Sequence, residues 1–221
     1  MRRFGRPSPR TPTAFPWAAP WSLFAASVAL VLAATPPPVA RAQRSPLPAR
    51  DCAGPNPYLV TTLFARGRGF GAEPAVIAFR DTPLGEEPMA LAKIREVGST
   101  YGLAYDAARD ALYIGAHHKR NTDLGPQGPG GIYKLTLADG DVEPFARLRT
   151  AGRDRHDPDN DFQPDERGRT WVGKTSLGDI EMAPDGQHLL VANLEDRRIH
   201  RVALADGAVV GSFAHGAAAE P

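Results

Sequence analysis

The amino-acid sequence predicts an all-β chain: an incomplete β-propeller of about two and a half four-stranded blades that follows an N-terminal signal peptide. Two stretches carry this prediction, because Gly102–Ala116 and Gly178–Ala192 share one pattern of two short apolar runs around a polar turn. Each stretch is followed by another strand-like run and then by the tetrapeptide LADG, at Leu137–Gly140 and at Leu204–Gly207. A repeat of four short strands is typical of a propeller blade.

Residues 1–42 have the order of a secretory signal peptide. Four arginines precede an apolar run of 14 residues, Trp21–Ala34, and Ala40–Ala42 offers an A-x-A cleavage site. The apolar run is shorter than the roughly 20 residues that a membrane-spanning helix needs. We therefore expect export, with the protein secreted or located in the cell envelope. A membrane anchor and a disordered tail are the alternatives.

The charge balance excludes whole classes of partner. The chain has 26 Lys and Arg against 25 Asp and Glu. Five of the arginines and none of the acids lie in residues 1–42, which leaves 21 basic and 25 acidic residues, a net charge of −4. A mildly acidic surface gives no electrostatic attraction to nucleic acid, or to a membrane after signal cleavage. Cys52 is the only cysteine, so no internal disulfide can form.

The segment before the repeats predicts a leader and a partial first blade. Residues 43–57 are rich in proline and polar residues, which indicates an extended leader. The first blade covers residues 58–96. Its β-branched and apolar runs predict strands at Tyr58–Phe64 and Ala75–Arg80, and Ala90–Glu96 fits either a third strand or a short helix.

The second blade, residues 101–148, has the clearest pattern. Strict alternation places Leu112 and Ile114 on one face of a strand and Tyr113 on the other. An Asp-Gly pair between two alternating runs is a strong hairpin signal, and it separates the last two strands. The predicted strands are Gly102–Asp106, Ala111–Ala116, Gly131–Leu137 and Asp141–Leu148.

The third blade, residues 177–214 within a propeller segment of residues 58–221, repeats this order. Its predicted strands are Gly178–Ala183, His188–Asn193, Arg198–Leu204 and Ala208–Phe213. Two full blades and a partial blade do not close a ring, and unpaired edge strands at both ends would tend to associate with another chain unless something covers them. We expect the remaining blades of a longer protein to supply this cover; several copies of this chain, or another cover, are the alternatives.

Three sequence strings resemble bacterial secreted β-propeller modules of the kind found beside surface-adhesin repeat domains. They are VGSTYGLAYD (residues 97–106), the insertion that begins HHKR and ends GGIYKL (117–135), and VGKTSLGDIEMAPDGQHLLVANLEDRRIHRV (172–202). The part PDGQHLLVANLEDRRI is also typical of lactonase-like and NHL-like propellers. The resemblance implies an extracellular location and a binding or scaffold role, toward an unknown extracellular ligand, more than a catalysed reaction.

One acidic loop is a candidate calcium site. Asp157, Asp159, Asp161 and Asp165 place carboxylates at alternate positions, which suits a hard cation such as Ca²⁺. The opening D-x-D-x-D is that of an EF-hand loop, but the glycine and the final glutamate of that motif are missing. A calcium-stabilised adhesion module is therefore one alternative function. The competing interpretation is a solvated acidic loop neutralised by nearby arginines.

Two further sets of residues have metal chemistry as an alternative. His117, His118 and His156 could bind zinc or iron if the fold brings them together, although adjacent histidines in a strand point to opposite faces. Asp179, Glu181 and Asn193 are the catalytic candidates of a metal-dependent lactonase-type hydrolase, with the metal in a central channel. The competing interpretation is that Asp179 caps neighbouring backbone amides.

Overall fold

In the computed structural model, residues 57–64, 72–80, 87–157 and 164–214 are described, and they form three antiparallel sheets. All of them belong to one unit, Ala42–Pro221. The predicted signal peptide (1–42), the predicted leader except Pro57, and the calcium candidates Asp159 and Asp161 lie outside the described residues. No helix in the described part of the chain is long and apolar enough to cross a membrane.

The first sheet has three strands, β1 (Tyr58–Thr62), β2 (Pro74–Arg80) and β3 (Met89–Lys93), in that order. The run predicted as a strand or a short helix contains both, because β3 is followed directly by α1 (Ile94–Val97). The carboxylate of Glu96 accepts a hydrogen bond from the Lys93 amide at 2.8 Å, which satisfies a free donor at the start of the helix.

The other two sheets are four-stranded meanders, as the repeated pattern predicts. The middle sheet consists of β4 (Thr100–Asp106), β5 (Ala111–Ala116), β6 (Gly131–Thr136) and β7 (Asp141–Arg147). The third sheet consists of β8 (Leu177–Met182), β9 (His188–Asn193), β10 (Arg198–Ala203) and β11 (Val209–Ala214). In both LADG turns the glycine has a positive φ, 71° at Gly140 and 73° at Gly207, which a residue with a Cβ rarely adopts.

The same β-bulge interrupts the first strand pair of the middle and third sheets. In the middle sheet the pairing moves from Thr100 opposite Ala116 to Leu103 opposite Ile114. In the third sheet it moves in the same way, from Leu177 opposite Asn193 to Ile180 opposite Val191. The two four-stranded sheets are therefore structural repeats, and Leu103 corresponds to Ile180.

This correspondence corrects the sequence alignment by one residue. Aligning the two glycines made Gly102 equivalent to Gly178, whereas the bulges make Gly102 equivalent to Asp179. A shift of one residue along a strand moves every side chain to the opposite face, so the correction decides which way the acidic residues of β8 point.

The middle sheet is packed on both faces, because its side chains alternate between two apolar clusters. Leu112 and Ile114 pack against the first sheet, and Tyr113 packs against the third sheet, as the alternation predicts. The ring of Tyr113 meets that of Phe145 edge-on at 4.9 Å. Strand β8 of the third sheet lies against β4 and β5, which places the first strands of the two repeats side by side.

Candidate functional site

Two long segments meet at the end of β5: the insertion between β5 and β6, and the connection from β7 to β8. The hydroxyl of Ser176, in the connection, lies within hydrogen-bond distance of two carbonyl oxygens, those of Pro129 (2.6 Å) and Ala116 (3.1 Å), and can donate to either. Arg120, in the insertion, forms an ion pair with Glu166 of α2 (Glu166–Arg169) at 2.6 Å. The two segments therefore form one packed unit, and it contains most of the buried polar side chains described below.

The carboxylate of Asp165 is the central acceptor of this unit. Asp165 is fully buried and receives four hydrogen bonds: from the amides of Asn121 (2.9 Å), Asp157 (3.3 Å) and Gly168 (3.1 Å), and from the Nδ1 of His156 (2.8 Å). Burial alone would raise the pKa of Asp165, but these donors hold that pKa below its usual value. The charge is thus retained inside the protein, where it joins three parts of the chain.

Gly168 allows this close approach. A Cβ at Gly168 would lie 2.3 Å from one carboxylate oxygen of Asp165 and 2.5 Å from the other, so any side chain there would displace the carboxylate. Asp165 itself has a left-handed backbone conformation, with φ 31°, which aspartate tolerates better than most residues. The local sequence Asp165–Gly168 therefore specifies both the cap of α2 and the position of the carboxylate.

Two imidazole rings lie against each other beside Asp165. The ring of His118 is buried from solvent, and its centroid lies 4.4 Å from that of His156, with 32° between the planes. The Nε2 of His118 contacts the carbonyl oxygen of Gly168 at 3.2 Å, whereas its buried Nδ1 has no hydrogen-bond partner. Burial, and then the neighbouring His156, lower the pKa of His118, so this ring is neutral at physiological pH.

Asp154 completes a cluster of three potential metal ligands. One ligand atom from each of His118, Asp154 and His156 lies within 4.8 Å of the others. Asp154 is exposed, and its carboxylate accepts a hydrogen bond from the His156 amide at 2.9 Å. The cluster is therefore buried on the histidine side and open to solvent on the aspartate side.

The structure brings only some of the predicted metal-binding residues together. His118 and His156 meet, but His117 points elsewhere: its Nδ1 contacts the Leu177 carbonyl oxygen at 2.6 Å and its ring lies 5.2 Å from that of Tyr101. Asp165 already accepts four hydrogen bonds, which uses the accepting capacity of a carboxylate and leaves no oxygen lone pair for Ca²⁺. Of the other calcium candidates, only Asp157 is described, and it is half-buried.

The lactonase candidates do not converge on one site. Asp179 and Glu181 are exposed on the face of β8 that points away from the middle sheet. Asn193 is buried on the opposite face, where its amide nitrogen donates to the hydroxyl of Thr150 at 2.9 Å. The carboxylate of Asp179 accepts a hydrogen bond from the Ile180 amide at 2.9 Å. The three side chains cannot hold one ion in this arrangement.

Asp154 was missed in the sequence because it stands outside the run of alternating aspartates. A usable signal was present: Asp154 and His156 are two residues apart, and that spacing puts two side chains on the same side of an extended loop. Nothing local connects them to His118, which belongs to another segment of the chain.

The segments that are similar to this chain are small parts of much longer proteins. No protein-family model matches the chain. It is 33% identical over 115 residues to Colossin-A and 30% identical over 167 residues to Colossin-C, both from Dictyostelium discoideum. The matches cover 47% and 66% of this chain, but only 1% of Colossin-A and 16% of Colossin-C. The bacterial origin expected from the sequence has no support in these relatives.

The solved structures that are similar belong to lactonase-like and propeller-type folds, at low similarity. A luciferin-regenerating enzyme gives a TM-score of 0.39 at 14% identity, covering 72% of this chain and 42% of that one. A Bacteroides uniformis protein described as a 6-phosphogluconolactonase gives 0.27 at 14% identity, covering 73% and 55%. The architecture stated for this chain therefore rests on its own sheets and their pairing.

Proposed function

We propose that this chain is a non-catalytic binding and scaffold module of a surface or secreted protein: a segment of a β-propeller whose ring is completed by further sheets of the same repeat. The observation that carries the proposal is the packing of the third sheet on the middle sheet. If the repeat continues, a further sheet would pack in the same way on the outer face of the third sheet.

The face of the middle sheet that receives the third sheet has an apolar centre. Tyr113 and Ile132 form it, and both are fully buried there. By the correspondence of the two repeats, Leu190 takes the place of Tyr113 and Ile199 that of Ile132. Leu190 and Ile199 lie on the outer face of the third sheet and are half-buried. This face keeps apolar residues where the next sheet would pack.

Charged residues flank that apolar centre. Glu181 and Arg201 are exposed on the same outer face, at the positions that Ala104 and Lys134 occupy in the middle sheet. A fully solvated sheet face would need no apolar centre between them, and a face meant for lipid would not carry the charges. The pattern fits a protein sheet with complementary charges as the partner.

The placement of the lactonase candidates favours a binding role over hydrolysis. Among the described residues, the three lactonase candidates are divided between two faces of one sheet, as described above. The relatives add a second line of support, since each match is a small part of a long chain, the context in which a scaffold module would act.

The proposal is tested by adding the sheet that it calls for. A copy of residues 149–214 is appended after Pro221, and thermal unfolding is compared between the chain and the extended chain, each with and without Leu190→Glu. We expect the extension to raise the melting temperature and Leu190→Glu to cost more in the extended chain, by about 2 kcal/mol or more, because the charge is then buried in an interface.

A matched control is Val172→Glu, which alters an exposed apolar side chain outside the outer face. It should lower the melting temperature equally in both chains. An extension that leaves stability unchanged, with Leu190→Glu equally costly in both chains, would contradict the scaffold proposal. Metal-dependent lactone hydrolysis that Asp179→Asn abolishes would contradict its non-catalytic part.

A further inference from the structure

We propose that His118, Asp154 and His156 bind one divalent transition-metal ion, with Zn²⁺ the best match to these ligands. The site would clamp the insertion after β5 to the connection before β8. This inference goes beyond the scaffold role and does not depend on how the ring is completed, because all three residues lie in the chain itself.

The surroundings of both imidazoles are those of metal-ligating histidines. Such a histidine usually donates its second ring N–H to a carboxylate or to a backbone carbonyl, which fixes the ring and its tautomer. His156 contacts the Asp165 carboxylate through Nδ1, at 2.8 Å, and His118 contacts the Gly168 carbonyl through Nε2, at 3.2 Å. The other nitrogen of each ring then carries the lone pair that a metal requires.

The buried Nδ1 of His118 is the second, independent observation. His118 is 0% exposed, and this atom has no hydrogen-bond partner. A buried polar atom without a partner is unfavourable, and native structures rarely keep one without a reason. A bound cation beside Asp154 and His156 supplies that reason, since it would satisfy the lone pair.

The ligand set selects among metals. Two imidazole nitrogens and one carboxylate suit zinc and related first-row ions, whereas Ca²⁺ and Mg²⁺ take mainly oxygen ligands. Three protein ligands would leave one position of a four-coordinate zinc open, and the exposed Asp154 gives water access to the cluster. The negative charge of Asp165 behind His156 further favours a cation at the cluster.

The test uses the full chain without an affinity tag, after treatment with a chelator. Isothermal titration with Zn²⁺ should show one site per chain, and Co²⁺ should give the visible absorption of a site with nitrogen and oxygen ligands. We expect Asp154→Asn and His118→Gln each to weaken Zn²⁺ binding about 10-fold or more, because each removes a ligand. Excess Ca²⁺ should not compete.

The matched control is His188→Gln, which removes a histidine that also pairs with a carboxylate, that of Asp185 at 2.9 Å, but lies outside the cluster. It should leave Zn²⁺ affinity unchanged. Because His118 is buried, His118→Gln can fail to fold; Asp154→Asn alters an exposed side chain and then decides the question alone. Absence of a one-to-one Zn²⁺ site, or affinity unchanged in Asp154→Asn, would overturn the proposal.

Discussion

One carboxylate, that of Asp165, organises the region between the middle and third sheets. It was predicted as a calcium ligand because it follows three alternating aspartates, and in the structure it accepts four hydrogen bonds from the surrounding chain. Alternation in a sequence reports only the side on which a residue points. It does not report how many backbone amides will reach the carboxylate, and here three amides and an imidazole do so.

Tyr133 is the clearest source of pH-dependent stability among single residues. Its side chain is 1% exposed, and its hydroxyl oxygen accepts a hydrogen bond from the Gln127 amide at 3.0 Å. The pKa of Tyr133 is raised from 10.0 to about 12, and burial is the largest cause. The hydrogen bond from the Gln127 amide acts in the opposite direction and lowers the pKa. The folded protein therefore favours the protonated phenol.

We expect stability to decline between pH 10 and 12 for this reason. Because the folded pKa is raised, the contribution is complete below pH 10 and is lost as the pH rises toward 12, by about 1 kcal/mol at pH 11. The free energy of unfolding in urea, measured at pH 8, 10 and 11, tests this decline. Tyr133→Phe should be less stable at pH 8, since the Gln127 amide loses its acceptor, but should decline less steeply. Parallel declines in the two proteins would show that Tyr133 is not responsible.

The strands were largely predictable from sequence, and the register was not. Alternating apolar residues and the two Asp-Gly turns set the position of β5, β6 and their counterparts β9 and β10 within a residue or two. The bulge in the first strand of each repeat depends on hydrogen bonds across the sheet, which no local pattern reveals. That is why aligning the glycines gave a register one residue away from the observed one.

Neighbouring residues on β8 offer a direct test of this register. Ile180 is 0% exposed and packs against the middle sheet, whereas Glu181 is exposed on the outer face. Ile180→Ala should therefore cost about 2–5 kcal/mol of unfolding free energy, and Glu181→Ala less than about 0.5 kcal/mol. Equilibrium urea unfolding distinguishes the two. Comparable losses in both variants would mean that the assigned faces are wrong.

The cluster of His118, Asp154 and His156 could not be predicted from the sequence, because its residues lie in different segments of the chain. His118 and His156 were both candidates, but they belong to different segments, and only the packing of the insertion against the connection brings their rings to 4.4 Å. Adjacent histidines were expected to diverge, and His117 does point away from His118 and contacts Leu177 instead. The residue types indicated possible metal ligands, but which of these residues meet depends on the tertiary structure.

Across the described residues, the three sheets stack face to face, with the middle sheet buried on both sides. Each of the two interfaces has its own apolar cluster. The middle sheet contributes side chains to both clusters, so the second interface continues the stacking of the first. Consecutive sheets with their first strands side by side form the geometric unit of a propeller. The proposed scaffold role requires that unit, while the proposed metal site requires only the two loops beside it.

The contact between β4 and β8 tests this stacking most directly, and two glycines of the middle sheet form a matched pair for it. A Cβ at Gly102 would lie 2.6 Å from the backbone nitrogen of Ile180 and 2.8 Å from the Gly178 carbonyl oxygen. A Cβ at Gly115 would meet the Ile180 side chain at 3.4 Å and the Gly102 carbonyl oxygen at 3.7 Å, both ordinary van der Waals distances. Backbone atoms cannot move aside as a side chain can.

The deciding measurement is therefore the unfolding free energy of Gly102→Ala and Gly115→Ala in urea. If β8 is stacked on β4 as described, Gly102→Ala loses about 1–3 kcal/mol, and Gly115→Ala loses clearly less. A Gly102→Ala protein as stable as the unmodified chain would contradict the stacking of the two sheets and, with it, the proposed propeller segment on which the proposed scaffold role depends.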